Sequence, residues 1–234
     1  GAVSLLGATL ARMATGAAEP RQPFLPALRF RRLTPYFDHV VRLTMRERTF
    51  KRRLLDGLAL QPGERVLDVG AGTATLAVEL KRRCPGATVV GLDADPDVLA
   101  IARAKASQAG CELELVEGLS DALPFPDESF DAVVSTLFFH HLDGEAKRAT
   151  LREVRRVLRP GGRMHVGDFT RPADPLQAAL NLPVRVFDGF AVTAHNVRGA
   201  LPELFSQAGL HDVRQRDRLR TAMGTLALWS ARRS

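Results

Sequence analysis

The alternation of apolar and polar stretches along the chain predicts strands and helices that follow one another in turn. Short runs rich in apolar and β-branched residues predict strands at 64–69, 87–93, 111–118, 130–139 and 163–169. Between them, apolar residues at helical spacing predict helices at 74–83, 96–110 and 144–158. Because strands that alternate with helices pair in parallel through crossover connections, we expect a parallel sheet with helices on both faces.

The C-terminal third of the chain departs from this rhythm. The segment RPGG predicts a tight turn at 159–162. Residues 172–209 then contain two helical stretches, which we predict at 175–188 and 197–208. Two final strands are predicted at 211–217 and 224–232.

The first strand runs into a glycine-containing loop, in the segment VLDVGAGTATL at 66–76. Gly70 and Gly72 allow a sharp turn and a close approach of the backbone to a ligand. The helix that begins near Thr73 directs its first amides at the same place, which favours an anionic group. Asp93 ends the next strand, 21 residues after Gly72, where a carboxylate can accept hydrogen bonds from both ribose hydroxyls. The pattern therefore predicts a cofactor that contains a nucleoside.

Four motifs in order resemble those of the class I S-adenosylmethionine-dependent methyltransferases. The third glycine of a dinucleotide-binding loop is absent, since Thr75 stands in its place. The similarity is greatest to the group around the ubiquinone/menaquinone C-methyltransferases, and it covers about residues 60–170. The motifs are VLDVGAGTA (66–74), GLDADPDVL (91–99), LPFPDESFDAVVSTLFFHHL (123–142) and LREVRRVLRPGGRMHVGDF (151–169).

This resemblance implies an α/β fold with a Rossmann-like, doubly wound sheet. Such a sheet has seven strands, is mostly parallel with an antiparallel final strand, carries helices on both faces, and has a small N-terminal helical cap. We expect a flexible N-terminal segment at 1–27, which is rich in Ala, Gly and Pro, and a helical cap over the cofactor at 28–58. The methyltransferase domain is then expected at 59–234, with a substrate-side helical insertion at 172–209.

The cofactor that the resemblance implies is S-adenosylmethionine. Asp68 and the glycine loop would hold its methionine end, Asp93 its ribose, and Ala94 would lie along its adenine. The family commonly has an Asp-Ala pair where this chain has Leu119 and Ser120, which leaves the adenine to Asp121 or to the backbone with Ser120. The residues expected to bind the cofactor are Asp68, Gly70, Ala71, Gly72, Asp93, Ala94, Leu119, Ser120, Ser135 and Tyr36.

Two adjacent histidines follow the fourth strand. His140 and His141 are the candidates for a catalytic base, since a neutral imidazole accepts a proton from a phenol, a quinol or an ammonium group. The alternative is that one of them caps the following helix or bonds to the backbone. Tyr36, or the neighbouring Phe37, is expected to cover the sulfonium, because an aromatic face attracts a cation.

The composition narrows the class of protein without deciding it. The formal charge is +7, and residues 29–53 hold nine basic against two acidic residues. That excess is typical of RNA or anionic-lipid contact, or of a solvated arginine-rich surface. Cys84 and Cys111 form no CxxC pair and no metal-ligand cluster, which predicts a cytoplasmic protein without a metal site. No run of 18 uncharged apolar residues is present, so we expect no membrane-spanning segment.

The function expected from these residues is methyl transfer from S-adenosylmethionine to a small aromatic or lipophilic acceptor, of the quinol, phenol or natural-product type. The apolar residues of 172–209 favour such an acceptor over a sugar. Two alternatives are an RNA methyltransferase and a non-catalytic S-adenosylmethionine-binding partner protein. The segment STLFFHHL lacks the Asn/Asp-Pro-Pro-aromatic run used on the exocyclic amines of bases, which makes nucleic acid the less favoured partner. A dehydrogenase on the same fold is a third alternative.

Overall fold

A computed structural model of the protein describes residues 46–234. The segment predicted to be flexible, at 1–27, lies outside the described residues. So does most of the cap predicted at 28–58, and with it Tyr36. The described part begins with one helix of that cap and continues through the whole predicted domain.

Seven strands form one sheet in the order β3-β2-β1-β4-β5-β7-β6. The pairs from β3 to β5 are all parallel, whereas β7 runs antiparallel to both of its neighbours. The predicted fold class is therefore confirmed. The strands are β1 Arg65–Val69, β2 Thr88–Asp93, β3 Glu114–Glu117, β4 Phe130–Thr136, β5 Leu158–Phe169, β6 Leu210–Thr221 and β7 Gly224–Arg233.

Helices cover both faces of this sheet. Those before β5 alternate with the strands, and the others lie between β5 and β6. The helices are α1 Glu47–Leu58, α2 Thr75–Arg83, α3 Pro96–Gln108, α4 Gly144–Val157, α5 Pro175–Leu180, α6 Leu182–Asp188, α7 Phe190–Arg198 and α8 Leu201–Gln207. A single 3-10 turn at Phe139–His141, called the histidine turn below, follows β4.

The two faces of the sheet carry separate apolar cores. In β1, Val66 packs into one core with Phe50 of α1, while Leu67 and Val69 pack into the other. This split follows from the alternation of side chains along a strand. The same alternation places Asp68 on the face of Val66, where it is only 1% exposed. A carboxyl group is thus buried at the end of the central strand.

The insertion consists of four short helices rather than the two predicted stretches. The predicted helix at 175–188 divides at Asn181, because Pro183 lies in the first turn of α6 and has no N–H to continue the α5 ladder. The predicted stretch at 197–208 is interrupted by Gly199, whose φ of +76° ends α7.

The predicted turn at 159–162 lies within β5. Phe130 pairs with Leu158, and the next pair is Ala132 with Arg163. Residues 159–162 of β5 therefore form a bulge that is not paired with β4. Gly161 makes it with a φ of +76°. The strand therefore begins before the turn that the sequence placed ahead of it.

His165 of β5 is a buried titratable group, 5% exposed, under α1. Burial, reinforced by Arg163, lowers its pKa to about 4. The unfolded chain therefore binds a proton between pH 6.5 and 4 that the folded chain does not bind, so stability falls as the pH drops through that window. We expect the free energy of unfolding to lose about 2 kcal/mol from this group between pH 7 and pH 5.

This expectation can be checked by urea unfolding of the wild type and His165→Leu at both pH values. The difference in unfolding free energy between the two proteins should change by that amount. A difference that is equal at the two pH values would show that folding does not keep His165 neutral.

Candidate active site

The glycine loop between β1 and α2 is held by hydrogen bonds to the end of β2 and is covered by one aromatic ring. Gly70 and Gly72 have φ values of +70° and +55°. The amides of Gly70 and Ala71 both donate to the carbonyl of Leu92, each at 2.9 Å. A Cβ atom added to Gly70 would lie 2.3 Å from the ring of Phe138. Gly70 is therefore required by its conformation and also by the aromatic ring that covers it.

Asp68 is a buried carboxyl group with an unused acceptor. Its Oδ2 accepts no hydrogen bond within the described part of the chain. Burial raises its pKa to about 7, although the charge of Lys51 acts in the opposite direction. A carboxylate that burial destabilises in this way gains most from a bound cation, such as an ammonium group.

Asp93 fixes the far side of the loop. Its Oδ2 accepts a hydrogen bond from the amide of Gly72 at 2.8 Å, and its Oδ1 accepts one from the amide of Asp95 at 3.1 Å. Burial raises its pKa, and these two bonds oppose the rise. Each carboxylate oxygen has a second lone pair, so acceptor capacity remains for a diol. Ala94 follows directly and is partly exposed at the same strand end.

The two serines predicted to bind the cofactor both have partners inside the protein. The Ser135 hydroxyl is buried and donates to the carbonyl of Val69 at 2.8 Å, which joins β4 to β1. The Ser120 hydroxyl lies 2.8 Å from that of Thr150 on α4. Leu119 is 39% exposed beside it. Both hydroxyls make hydrogen bonds that connect neighbouring elements of the site. Contact of Leu119, Ser120 and Ser135 with the cofactor stays a prediction.

The histidine turn begins earlier than the sequence indicated. The strand predicted at 130–139 ends at Thr136, because Leu137 has a φ of +53° and its amide donates to the carbonyl of Gly167 on β5. The chain then turns across the carboxyl end of β5. His140 comes to lie next to Asp168 as a result.

His140 and Asp168 form a buried pair, with side chains 6% and 0% exposed. The Nδ1 atom of His140 lies 2.8 Å from Oδ1 of Asp168, and the His140 amide donates to Oδ2 at 3.2 Å. Burial acts to raise the pKa of Asp168, but the His140 ring, its hydrogen bond and the Phe169 amide outweigh it, so that the pKa lies below its ordinary value. The carboxylate therefore accepts the Nδ1 proton, which assigns the lone pair of the neutral ring to Nε2.

The His141 ring lies beside that of His140, tilted by 40°. Its ring centroid lies 4.0 Å from that of His140, and Phe169 meets the His140 ring edge-on at 4.9 Å. His141 is partly exposed, whereas His140 is buried. His140 is the predicted base whose Nδ1 is held by the Asp168 carboxylate.

Lys147 is a residue of the site that the sequence analysis did not identify. It is completely buried, and its ammonium group donates to the carbonyls of Leu142 and, at 3.0 Å, Val192. Burial lowers its pKa to about 8, against the charge of Asp168. It thus ties the histidine turn to α7. The only signal in the sequence is a lysine three residues before Thr150 on the buried stripe of α4.

Asn196 joins α7 to the end of β5. It is fully buried, and its Nδ2 donates to the carbonyl of Phe169 at 3.3 Å. Its Oδ1 is buried and meets no donor among the residues that the structure describes. The neighbouring His195 has a similarly unmatched Nδ1. Polar atoms of the insertion therefore lie beside the histidine turn and the end of β5.

Within residues 46–234, no group of three His, Cys, Asp or Glu side chains is arranged to hold a metal ion. No helix in that range is long and apolar enough to cross a membrane. The carboxyl edge instead combines a buried acid, a glycine loop and a histidine–carboxylate pair.

Comparison with known proteins agrees with this arrangement. A family model described as a methyltransferase domain matches residues 66–162. The chain is 42% identical to the demethylmenaquinone methyltransferase of Thermus thermophilus over 161 residues. This aligned region covers 68% of this chain and 70% of that protein. It is 30% identical over 224 residues to the ubiquinone/menaquinone biosynthesis C-methyltransferase of Syntrophotalea carbinolica, covering 88% and 92% of the two chains.

The fold is also found in the solved structure of the YcgJ protein from Bacillus subtilis. The TM-score is 0.66 at 20% sequence identity, over 80% of this chain and 98% of that one. The chain belongs to the class I S-adenosylmethionine-dependent methyltransferases, and S-adenosylmethionine is its cofactor. Within that class it is similar to the ubiquinone/menaquinone C-methyltransferase group. The predicted family, enzyme class and cofactor are confirmed.

Proposed function

We propose that the protein methylates a ring carbon of a small hydroxylated aromatic acceptor of the quinol type. The observation that carries this proposal is the buried His140–Asp168 pair at the carboxyl edge of the sheet. Phe138, two residues before His140, packs on Gly70 of the cofactor loop, which brings the pair next to that loop. The names of the similar quinone methyltransferases support the same acceptor class.

The residues that would hold the cofactor are inferred from buried polar atoms that have or lack a partner. S-adenosylmethionine supplies a methyl group already activated by its sulfonium. We infer that Asp68 accepts hydrogen bonds from the ammonium of the methionine end, because its Oδ2 is buried and unmatched. The amides of Gly70, Ala71 and Gly72 donate within the protein, so the methionine carboxylate would meet the first turn of α2 instead. Asp93 would accept from the ribose hydroxyls.

The chemistry left to the protein is the handling of two protons, first that of the acceptor hydroxyl and then that of the methylated ring carbon. His140, with Nδ1 held by Asp168, would accept the proton of an acceptor hydroxyl at Nε2. Asp168 would stabilise the imidazolium that forms, as the carboxylate does in hydrolase triads. The resulting phenolate would place electron density on the neighbouring ring carbon. That carbon would bond to the methyl group as the bond to sulfur breaks, and the ring would then release its own proton to restore aromaticity.

A test of this proposal uses methyl-labelled S-adenosylmethionine, the full-length protein and a naphthohydroquinone, with the oxidised quinone as a matched control. The expected product carries the label on a ring carbon, and the quinone should stay unlabelled, because it has no hydroxyl proton and no nucleophilic carbon. A label on oxygen would overturn the carbon assignment. A cell extract labelled in RNA and not in organic-soluble molecules would overturn the acceptor class.

The ribose assignment has its own test. Replacing Asp93 by Ala should weaken the affinity for S-adenosylmethionine by about 1–3 kcal/mol, because two hydroxyl hydrogen bonds lose a charged acceptor. Titration calorimetry measures this affinity, and the exposed Glu112→Ala is a matched control that removes one negative charge elsewhere. Since Asp93 also accepts from the amide of Gly72, Asp93→Asn separates lost charge from lost loop order. Unchanged affinity in both variants would rule out the assignment.

A further inference from the structure

Exposed apolar side chains are concentrated on the insertion. Among the described residues, five large apolar side chains stand out as exposed, and four of them belong to α5–α7. Leu182 and Val186 are four residues apart on α6 and share one side of it. These four residues, called the apolar face below, are Leu176 (67% exposed), Leu182 (48%), Val186 (60%) and Phe190 (50%). The insertion therefore presents apolar groups to its surroundings instead of enclosing them.

One arginine contacts this face, and three more lie together at the far end of α7. The guanidinium of Arg185 lies 4.7 Å over the ring of Phe190. At the other end of α7, Arg218 donates to the carbonyl of Arg171 at 2.7 Å, and Arg171 donates to that of Arg198 at 3.2 Å. These partners are neutral carbonyl groups, so the positive charges are not cancelled by them. Arg171, Arg185, Arg198 and Arg218 are called the basic border below.

The surrounding sequence adds to the same charge. Residues 171–234 contain nine arginines, no lysine and five acidic residues. With a formal charge of +7 for the whole chain, like charges oppose the pairing of this surface with a second copy of itself. An apolar face within a basic border is complementary to a surface that offers both acyl chains and anionic groups.

We propose that the apolar face and the basic border dock this protein on an anionic lipid bilayer. The apolar side chains would enter the region between headgroups and acyl chains, and the arginines would contact lipid phosphates. No helix of the described residues is long and apolar enough to span the bilayer, so contact is at the surface. The docking proposal does not depend on the identity of the methyl acceptor.

The docking surface is connected to the candidate active site through α7. The helix α7, which carries Phe190, is tied to the histidine turn where Lys147 bonds to the carbonyls of Leu142 and Val192. Asn196, at the other end of α7, bonds to the carbonyl of Phe169 beside His140. If the quinol-type acceptor of the proposed function is also lipophilic, it would pass from the bilayer to His140 along this helix.

The experiment is sedimentation of the full chain with vesicles of phosphatidylcholine alone or with about 30% phosphatidylglycerol, at low and at physiological salt. The wild type should bind the anionic vesicles only, and less at the higher salt. Val186→Ser with Phe190→Ser should weaken binding about tenfold or more. Arg198→Glu should weaken it as well, whereas the exposed Arg152→Glu on α4, a matched charge change away from the insertion, should not.

Several outcomes would contradict the proposal. Equal binding to neutral and anionic vesicles, or no binding, would remove it. Binding that all insertion variants retain would place the lipid contact elsewhere, such as the basic segment at 29–53. Concentration-dependent dimers that Val186→Ser abolishes would make the face a contact between copies. Methylation of a short, water-soluble quinol should be unchanged in Val186→Ser, so a failed acceptor assignment and a failed docking surface remain distinguishable.

Discussion

Replacement of His140 by Ala is expected to slow methyl transfer about 100-fold or more, with little change in the affinity for S-adenosylmethionine. His140 is the described residue that combines a buried carboxylate partner with a place beside the cofactor loop. Asp68 and Asp93 lie on other strands and hold the cofactor in the proposed assignment, so binding should survive the change. Single-turnover rates and calorimetry measure the two effects separately.

Asp168→Asn tests how His140 is positioned. An amide cannot accept the Nδ1 proton through its nitrogen, so it would favour the other tautomer and leave an imidazolium without a counter-charge. We expect a lower kcat, little change in KM, and an altered dependence of kcat on pH. His141→Ala, which removes the partly exposed ring beside His140, should cost much less.

Two further observations separate catalysis from structure. The buried His140→Asn keeps a donor that reaches Asp168, so a folded but slow enzyme would confirm a role for the imidazole itself. If His140→Ala keeps both the cofactor affinity and the rate, the histidine is structural, and the proposed proton transfer does not occur at this residue.

Replacement of Gly70 by Ala is expected to destabilise the protein by about 3 kcal/mol or more and to abolish measurable cofactor binding. The added Cβ would lie 2.3 Å from the ring of Phe138, in a conformation with a φ of +70°. Phe138 lies between β4 and the histidine turn, so its displacement disturbs the loop and the turn together. Urea unfolding and calorimetry measure the two losses.

The clash and the backbone strain can be separated with matched variants. Gly110 has a φ of +63° and nothing within 4 Å of an added Cβ, so Gly110→Ala reports the strain alone, about 1 kcal/mol. Phe138→Ala in the Gly70→Ala background should recover part of the lost stability, which a double-mutant cycle would quantify. If Gly70→Ala costs no more than Gly110→Ala, Phe138 does not restrict this position.

The alternation of strands and helices along the chain could be predicted from local pattern, because hydrophobic periodicity is a property of consecutive residues. The run ERVLDV at 64–69 carries three apolar residues and is followed by a glycine, and β1 occupies Arg65–Val69. Pattern was less informative in the insertion. Pro183 and Gly199 divide it into short helices, since one lacks a donor and the other adopts a positive φ.

Several contacts of the candidate active site depend on residues far apart in the chain. The strand predicted at 163–169 has Asp168 near its end. The pairing of Asp168 with His140, however, depends on the end of β4 at Thr136 and on the turn at Leu137. The burial of Lys147 depends on Val192, 45 residues away. Ser135 was expected to bind the cofactor, but its hydroxyl donates a hydrogen bond to the carbonyl of Val69 on the adjacent strand.

By itself, the sequence determined the alternation of strands and helices, the loop at Gly70 and Gly72 and a nucleoside-containing cofactor, because these are encoded by short segments with their own backbone and hydrogen-bonding requirements. The resemblance of its motifs to a known family implied S-adenosylmethionine in particular. Only the tertiary structure decided the tautomer of His140, the raised pKa of Asp68 and the outward direction of the apolar face. Protonation and exposure depend on which distant groups surround a side chain, and no local pattern of residues specifies those neighbours.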